Sequence, residues 1–345
     1  MLPMSRPHRH PGRTAAEAAV ALAWLPGAAR GQGAHDVLRP AGPQAAQILQ
    51  LWNLTLLVCG VVFALVLAAL VVALWRGRVR RAAAGPAAER AAGHWVGGAA
   101  GVSAVLLVGL VAADVWTDHG LSRLPQSDAL HIEMVGQQWW WESRYPAGPE
   151  GPGFATAGEL HVPVGRTVVV TLLSADVIHT FWVPNLHGKK DMLPGRPTTV
   201  TLRADQPGRF RGQCAEFCGT EHALMAFGMV ADSPADFARW RAGQQAPALA
   251  PTSPEALRGQ ALFTNGACAG CHTVRGTDAA GTLGPDLTHL ASRPTIAAGS
   301  APNTAEALER WVRNPGVIKP GAAMPASALS QQDLADLVAY LRSLA

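Results

Sequence analysis

A short segment of the chain combines two thiols, an imidazole and a thioether: Cys214-Ala-Glu-Phe-Cys218-Gly-Thr-Glu-His222-Ala-Leu-Met225. Thiolate and thioether ligands favour copper in its reduced state, and imidazole suits both oxidation states. One thiolate with histidines and a weak methionine is typical of a mononuclear blue-copper site. Here a second thiolate follows the first within the same loop, so both sulfurs can face one point and bridge two copper ions. The segment therefore predicts a site that transfers electrons.

Two simpler interpretations of the same residues stay open. Cys214 and Cys218 could form a structural disulfide, because the chain has the features of an exported protein and disulfides persist outside the cytoplasm. They could also join His222 in a zinc site. Neither interpretation accounts for Met225. A copper site needs one more histidine, and the strand-like segment Asp176-Val-Ile-His179-Thr-Phe-Trp supplies it.

These two segments, together with Gly136-Gln-Gln-Trp139-Trp140-Trp141, resemble subunit II of haem-copper cytochrome c oxidases. The resemblance implies a binuclear CuA centre, carried by an all-β cupredoxin domain of Greek-key topology. It also implies that this domain lies in the periplasm, behind a hairpin of two membrane helices.

The resemblance assigns a role to each matching residue. It implies that the Cys214 and Cys218 thiolates bridge two coppers and that His179 and His222 each bind one of them. Met225 would be the weak thioether ligand, and Glu216 would ligate through its backbone carbonyl. The Glu216 carboxylate would point towards a magnesium site shared with subunit I, and electrons would enter at Trp139. The family usually has histidine where this chain has Gln137, so no role is assigned to Gln137.

Length and charge bound the remaining possibilities. The 345 residues suffice for two or three domains. The net charge of +4 arises in residues 1–116, where 10 Lys and Arg face 4 Asp and Glu, whereas residues 245–345 carry 7 of each. A nucleic-acid-binding protein would concentrate positive charge on a folded domain, so nucleic-acid binding is excluded.

The first part of the chain is typical of an exported membrane protein. Residues 1–33, with Arg6, Arg9 and Arg13 before an alanine-rich stretch, resemble a signal peptide, or else form an uncleaved N-terminal extension. Within residues 34–120, the apolar runs 51–75 and 95–116 each suffice for a membrane helix.

The residues that flank these runs predict the orientation of the hairpin. Tryptophans lie near the ends of both runs, and an arginine cluster that the positive-inside rule places in the cytoplasm lies between them: Arg76, Arg78, Arg80, Arg81 and Arg90. The later domains are then periplasmic, on a bacterial inner membrane. Cys59, within the first run, is interpreted as an apolar thiol without a function.

Residues 121–241 predict the β domain that must position the copper ligands. Short β-rich runs alternate with Pro and Gly clusters, which indicates a sandwich or barrel. The predicted strands are His131–Trp141, Glu159–Val164, Thr167–Leu173, His179–Val183, Thr198–Leu202 and Arg209–Gln213.

A second redox module follows a Pro- and Ala-rich linker, residues 242–254. Residues 255–345 contain Cys268-Ala-Gly-Cys271-His272, the Cys-x-x-Cys-His motif that attaches c-type haem. A redox-active Cys-x-x-Cys pair is the alternative. Met324 is the only methionine after His272, and it is the candidate second axial ligand. The resemblance here is to class I cytochromes c, which are all-α, and it implies that the Pro285 region orients the His272 ring.

These features predict the electron-transfer subunit of a membrane-bound cytochrome c oxidase. Electrons would pass from cytochrome c through haem c and CuA to subunit I, where oxygen is reduced to water and protons are pumped; subunit III would complete the complex. The alternatives are the CuA subunit of a nitric oxide reductase and a free-standing membrane electron carrier or copper-delivery protein. Nitrous oxide reductase would require a further His-rich copper domain, and quinol oxidases lack the copper ligands.

Overall fold

The computed structural model describes residues 35–79, 85–121, 123–149 and 151–345. The predicted signal segment, residues 1–33, lies outside the described residues, as do Arg80 and Arg81 of the predicted cytoplasmic cluster.

Two long apolar helices come first, α1 over Pro43–Val79 and α2 over Pro86–Leu121. Each begins at a proline, which is favoured there because its missing N–H would be unpaired at a helix start in any case. Both helices are long and apolar enough to cross a membrane. The predicted runs 51–75 and 95–116 fall inside them, and most of their Leu, Val and Phe side chains are exposed. The fold thus starts with two candidate membrane helices that contact each other.

The β domain, here Leu130–Gln245, has ten strands and one helix. The strands are β1 Leu130–Gln137, β2 Trp140–Tyr145, β3 Phe154–Ala157, β4 Glu159–Pro163, β5 Val168–Ser174, β6 His179–Phe181, β7 Lys190–Met192, β8 Thr198–Leu202, β9 Gly208–Gln213 and β10 Ala226–Asp232. One sheet has the order β3-β2-β1-β5-β8, a second has the order β4-β10-β9, and β6 pairs with β7. Helix α3, Pro234–Gln245, follows β10 and includes the first residues of the predicted linker.

Alternating side chains of the two larger sheets form one apolar core. On β1, Ile132 and Met134 are buried whereas His131 and Glu133 are exposed, which is the period of two expected for a half-buried strand. Alternate residues of β5 meet residues of β4 and β10 in the same core. The all-β prediction for this domain is thereby confirmed.

The predicted single strand His131–Trp141 was wrong, because it is two strands joined by a tight turn. β1 and β2 pair antiparallel with Gln137 opposite Trp140, so only Gln138 and Trp139 lie between them. The turn is stabilised from other segments: the Gln138 amide donates to Asp176 Oδ2 at 2.6 Å. The β-rich composition did not reveal this turn, since no Gly or Pro marks it.

The helical domain, Pro254–Ala345, contains α4 Pro254–Asn265, α5 Ala305–Arg313, α6 Gln331–Ser343 and the short strand pair β11 Thr295–Ile296 and β12 Ala301–Pro302. α4 and α6 cross closely at Gly259, where a Cβ atom would lie 2.0 Å from the Asp336 carbonyl oxygen. Phe263 and Tyr340 pack at this crossing with ring centroids 5.6 Å apart. A separate apolar core therefore supports this domain.

Candidate copper and haem sites

The soft-ligand segment is the loop between β9 and β10. These two strands are paired, and the Cys214 amide donates to the Met225 carbonyl at 3.0 Å, so the two ends of the loop are held together. The Gln213 side chain adds a second tie to Met225 O at 3.2 Å. The short loop must therefore fold back on itself, which directs its side chains to one point.

All of the predicted copper ligands converge at this point. The Cys214 and Cys218 sulfurs are 3.8 Å apart, and Cys214 Sγ is 3.9 Å from His179 Nδ1. Cys218 Sγ is 3.6 Å from His222 Nδ1 and 3.8 Å from Met225 Sδ. The Glu216 carbonyl oxygen is 3.2 Å from Cys214 Sγ, whereas the Glu216 side chain is exposed. The two sulfurs thus form the centre of the cluster, with a histidine beside each.

The arrangement of donors discriminates between the interpretations left open by the sequence. A disulfide needs a sulfur–sulfur distance near ~2.05 Å, and both cysteines are free thiols here. A closed zinc site takes four nitrogen or sulfur ligands. Here a thioether and a backbone carbonyl join two thiols and two imidazoles, and this larger, softer set suits copper.

Hydrogen bonds prepare the ligands for binding. His179 Nε2 donates to Asp176 Oδ1 at 2.8 Å, which directs Nδ1 towards Cys214. The hydrogen bond between the two sulfurs holds the pKa of Cys214 well below its ordinary value, although burial acts in the opposite direction. The same contact raises the pKa of Cys218, since the two sulfurs share a proton.

The three tryptophans have different environments. Trp141 is fully buried, and its Nε1 donates to the Met225 carbonyl at 3.3 Å. Trp140 is half-buried on β2. Trp139, in the turn, is also half-buried, and its Nε1 donates to the Cys218 carbonyl at 3.0 Å. Trp139 is thus the tryptophan that connects a cysteine of the cluster to the surface of the β domain. Gln137 ends β1 and has no contact with the cluster among the described interactions.

The haem motif forms a tight turn after α4. Both the Cys271 and the His272 amides donate to the Cys268 carbonyl, at 3.1 and 2.9 Å, so the two thiols and the imidazole are held on one turn. His272 Nδ1 donates to the Pro285 carbonyl at 2.8 Å, which leaves Nε2 as the free ring nitrogen. A Cβ at Gly284 would lie 2.6 Å from His272 Cε1, so the chain passes the ring at a position where only glycine fits.

The remaining haem ligand predicted from the sequence, Met324, is half-buried against the second core. Ring orientation by a carbonyl, two thiols on the same turn and an apolar surround are what a covalently attached haem needs. The residues present therefore fit the group that the motif predicts.

Contacts between the two domains were missed by the sequence analysis. Lys319 Nζ donates to the Trp139 carbonyl at 2.5 Å, and the Gly321 amide donates to Glu221 Oε1 at 3.0 Å. A second contact joins Ala226 N to the Ala298 carbonyl at 3.0 Å. The sequence offered one indication that Lys319 is unusual, because it is one of only three lysines in the chain.

Comparisons with known proteins agree with this division into two modules. Residues 154–232 match the family "Cytochrome C oxidase subunit II, periplasmic domain", and residues 256–345 match "Cytochrome c". Cytochrome c oxidase subunit 2 of Alkalihalophilus pseudofirmus is 41% identical over 63% of this chain and 62% of its own length, which is less than two thirds of that relative.

Two further proteins are similar over a larger share of their own length. The alternative cytochrome c oxidase subunit 2 of Bradyrhizobium diazoefficiens is 32% identical over 54% of this chain and 76% of its own length. The crystal structure of the periplasmic domain of subunit II of cytochrome oxidase of Bradyrhizobium japonicum is 32% identical, with a TM-score of 0.33, and covers 35% of this chain and 96% of that domain.

Proposed function

Because the chain belongs to the cytochrome c oxidase subunit 2 family, we propose that it is the electron-transfer subunit of a haem-copper oxidase in a bacterial inner membrane. It accepts electrons from cytochrome c at its helical domain and delivers them through the β domain to subunit I. There oxygen is reduced to water and protons are pumped, with subunit III as a further partner.

The observation that carries this proposal is the convergence of the soft donors on one buried point. Cys214, Cys218, His179 and Met225 are each at most 3% exposed, and the distances between neighbouring donor atoms are all below 4 Å. Cys214, Cys218, His179 and His222 would hold the two coppers of the proposed centre, and Met225 and the Glu216 carbonyl would complete the set. Two coppers that share one electron supply a carrier whose geometry changes little during transfer.

The residues of the β domain hold this centre and control access to it. Asp176 fixes the His179 tautomer, and the tie between the ends of the loop keeps the two sulfurs in position. Trp139 is the proposed entry point for electrons, because its indole ring donates directly to the Cys218 carbonyl. The exposed Glu216 carboxylate is available for the magnesium ion proposed at the border with subunit I.

The helical domain holds the proposed haem c, which supplies a one-electron carrier. Cys268 and Cys271 would attach it and His272 and Met324 would hold its iron, and the Pro285 carbonyl keeps the His272 ring in one orientation. A methionine opposite a histidine raises the reduction potential of such a haem. Helices α1 and α2 anchor the chain, with both domains on the periplasmic side.

Purification of the complex from its native membrane tests the proposal. Metal analysis is expected to give, for each haem c, two coppers in addition to the copper of the catalytic subunit. Electron paramagnetic resonance is expected to give one unpaired electron shared by the two coppers of this chain. A haem-copper subunit should co-purify, and the complex should oxidise cytochrome c with uptake of oxygen. A mononuclear copper or a zinc ion would refute the binuclear centre, and a catalytic subunit that reduces nitric oxide would refute the terminal acceptor.

A further inference from the structure

The segment of the helical domain that precedes Met324 lies directly on the copper loop and its tryptophan. Lys319 Nζ donates to the Trp139 carbonyl, and two residues later the Gly321 amide donates to the Glu221 carboxylate. Glu221 is the residue before His222, and Trp139 donates to the Cys218 carbonyl. Two hydrogen bonds therefore connect the chain near the proposed haem ligand to the two sides of the copper cluster.

Close packing accompanies these hydrogen bonds. A Cβ at Gly321 would lie 2.9 Å from Cζ3 of Trp139 and 3.2 Å from Cγ of Glu221. Only a glycine lets the backbone approach the indole ring this closely without a shift. The helical domain is thus fitted to Trp139 in one particular orientation.

Lys319 is buried to an unusual degree for a lysine, with only 3% of its surface exposed, and Glu221 is equally buried. Burial lowers the pKa of Lys319 to about 8, although Glu221 and Cys218 act in the opposite direction, so the ammonium group remains mostly charged at neutral pH. Placing a charge inside a protein is costly unless it is paired, and a lysine usually extends its amine to water. Among the described residues, the one hydrogen-bond acceptor of this ammonium belongs to the other domain.

We propose that Lys319, together with Gly321, is a positioning residue that fixes the helical domain against Trp139, so that electrons pass to the copper loop without movement of the domain. This inference rests on the proposed function, because it assumes that both cofactors are bound and exchange electrons. In the described structure, Lys319 makes no hydrogen bond to a proposed ligand of either cofactor. It acts through Trp139, and Gly321 acts through Glu221.

A second contact between the domains is independent of Lys319. The Ala226 amide donates to the Ala298 carbonyl at 3.0 Å, and Ser300 Oγ donates to the Leu224 carbonyl at 3.3 Å. Loss of the Lys319 contact should therefore leave the domains attached while it changes their orientation. A hydrogen bond to a charged group changes the equilibrium between the docked and undocked orientations of a domain by roughly tenfold to a hundredfold.

The test compares three variants in the purified, fully loaded complex. Lys319→Met removes the donor and keeps the apolar stem, whereas Gly321→Ala adds a methyl group against Trp139 and leaves Lys319 in place. Lys190→Met is the matched control, because Lys190 is exposed on β7 and its loss changes the net charge equally. Photoreduction of the haem gives the rate of transfer to copper. Hydrogen exchange of residues 316–323 reports the contact independently of electron transfer.

Both test variants are expected to transfer electrons at least about tenfold more slowly and to exchange faster at residues 316–323. The haem potential and the copper resonance should stay as in the wild type, and Lys190→Met should change nothing. Wild-type rates and wild-type protection in both test variants would overturn the inference. An altered copper resonance or haem potential would also overturn it, because Lys319 would then act on the sites themselves.

The same experiment separates this inference from the proposed function. Absence of haem-to-copper transfer in the wild-type complex would refute the proposed function and, with it, the electron-transfer role of Lys319. Faster exchange in Lys319→Met combined with unchanged transfer would refute the inference that this contact governs electron transfer, and it would leave the proposed function standing.

Discussion

The two proposed redox sites of this chain are built in opposite ways. At the copper loop the donors are already gathered by the protein: His179 and Met225 are fully buried, and the neighbouring donor atoms lie within 4 Å of each other. At the haem motif, Cys268, Cys271, His272 and Met324 are only half-buried around the second core. A small ion can bind in a ligand site that the paired strands form in advance. A haem is large enough to form part of the hydrophobic core of its domain.

This difference teaches where each site is vulnerable. Each copper donor touches at least one other donor, so removal of one disturbs the whole cluster. The haem would be held by two covalent bonds and an oriented imidazole, so an axial ligand can be removed while the group stays attached. Substitutions at each site test this contrast.

The largest effect is expected from Cys214→Ser. This sulfur contacts Cys218, His179 and the Glu216 carbonyl, so its loss should abolish the shared-electron resonance. Oxidase turnover should fall by more than about 100-fold, because loss of a residue that only orients a metal ligand already costs up to about that factor. Cys59→Ser, in α1, is the control and should retain full copper content. Retention of two coppers with the shared-electron resonance in Cys214→Ser would contradict the all-or-none character of this site.

A smaller effect is expected from Met324→Ala. The haem should remain covalently attached, and its reduction potential should fall, because the methionine ligand raises it. Redox titration followed by absorption spectroscopy measures the shift, with Met134→Leu in the β-domain core as the control. An unchanged potential would remove Met324 from the ligand set, and loss of the haem would show that this site depends on each ligand as the copper site does.

Trp139→Phe tests the connection between the two sites. The phenyl ring keeps the aromatic surface but cannot donate to the Cys218 carbonyl, so transfer from haem to copper should slow by roughly tenfold, the factor expected for one lost hydrogen bond. Both cofactors should keep their spectra. Trp140→Phe, half-buried on β2, serves as the control in the same transient-absorption measurement, and an equal loss in both variants would argue against a special role for Trp139.

The smallest effect concerns the scaffold of the β domain. Burial disfavours the charged form of His161, but hydrogen bonds to Asp232 at 2.7 Å and to Glu159 outweigh it and raise its pKa. A raised pKa stabilises the fold below the ordinary value of about 6.5, and the contribution is lost as the pH rises through the folded-state pKa.

His161→Asn should therefore lower the melting temperature more at pH 6 than at pH 9, by the equivalent of about 1–3 kcal/mol at the lower pH. Thermal unfolding of both proteins at the two pH values measures this, with the exposed His131→Asn as the control. An equal loss at both pH values would show that the ring contributes only by packing against Trp240, on which it stacks at 4.1 Å.

The sequence alone predicted most of the proposed ligands, because these residues lie close together along the chain. Cys214, Cys218, His222 and Met225 occupy one loop, and the haem motif occupies one turn, so their spacing carries the chemistry before any folding is considered. The strand Thr198–Leu202 was predicted for a similar reason, since its apolar residues follow a regular local period.

Only the tertiary structure decided how these pieces meet. The Lys319 contact with Trp139 spans 180 residues and the Gly321 contact with Glu221 spans 100, and no local period marks either. The sequence predicts that the Lys319 side chain is exposed to water. It also predicts that Gln138 belongs to a continuous strand, whereas the structure has Gln138 in a turn that is hydrogen-bonded to Asp176. Burial and hydrogen-bond partners depend on which distant segments the folded cores bring together, and that is settled by packing.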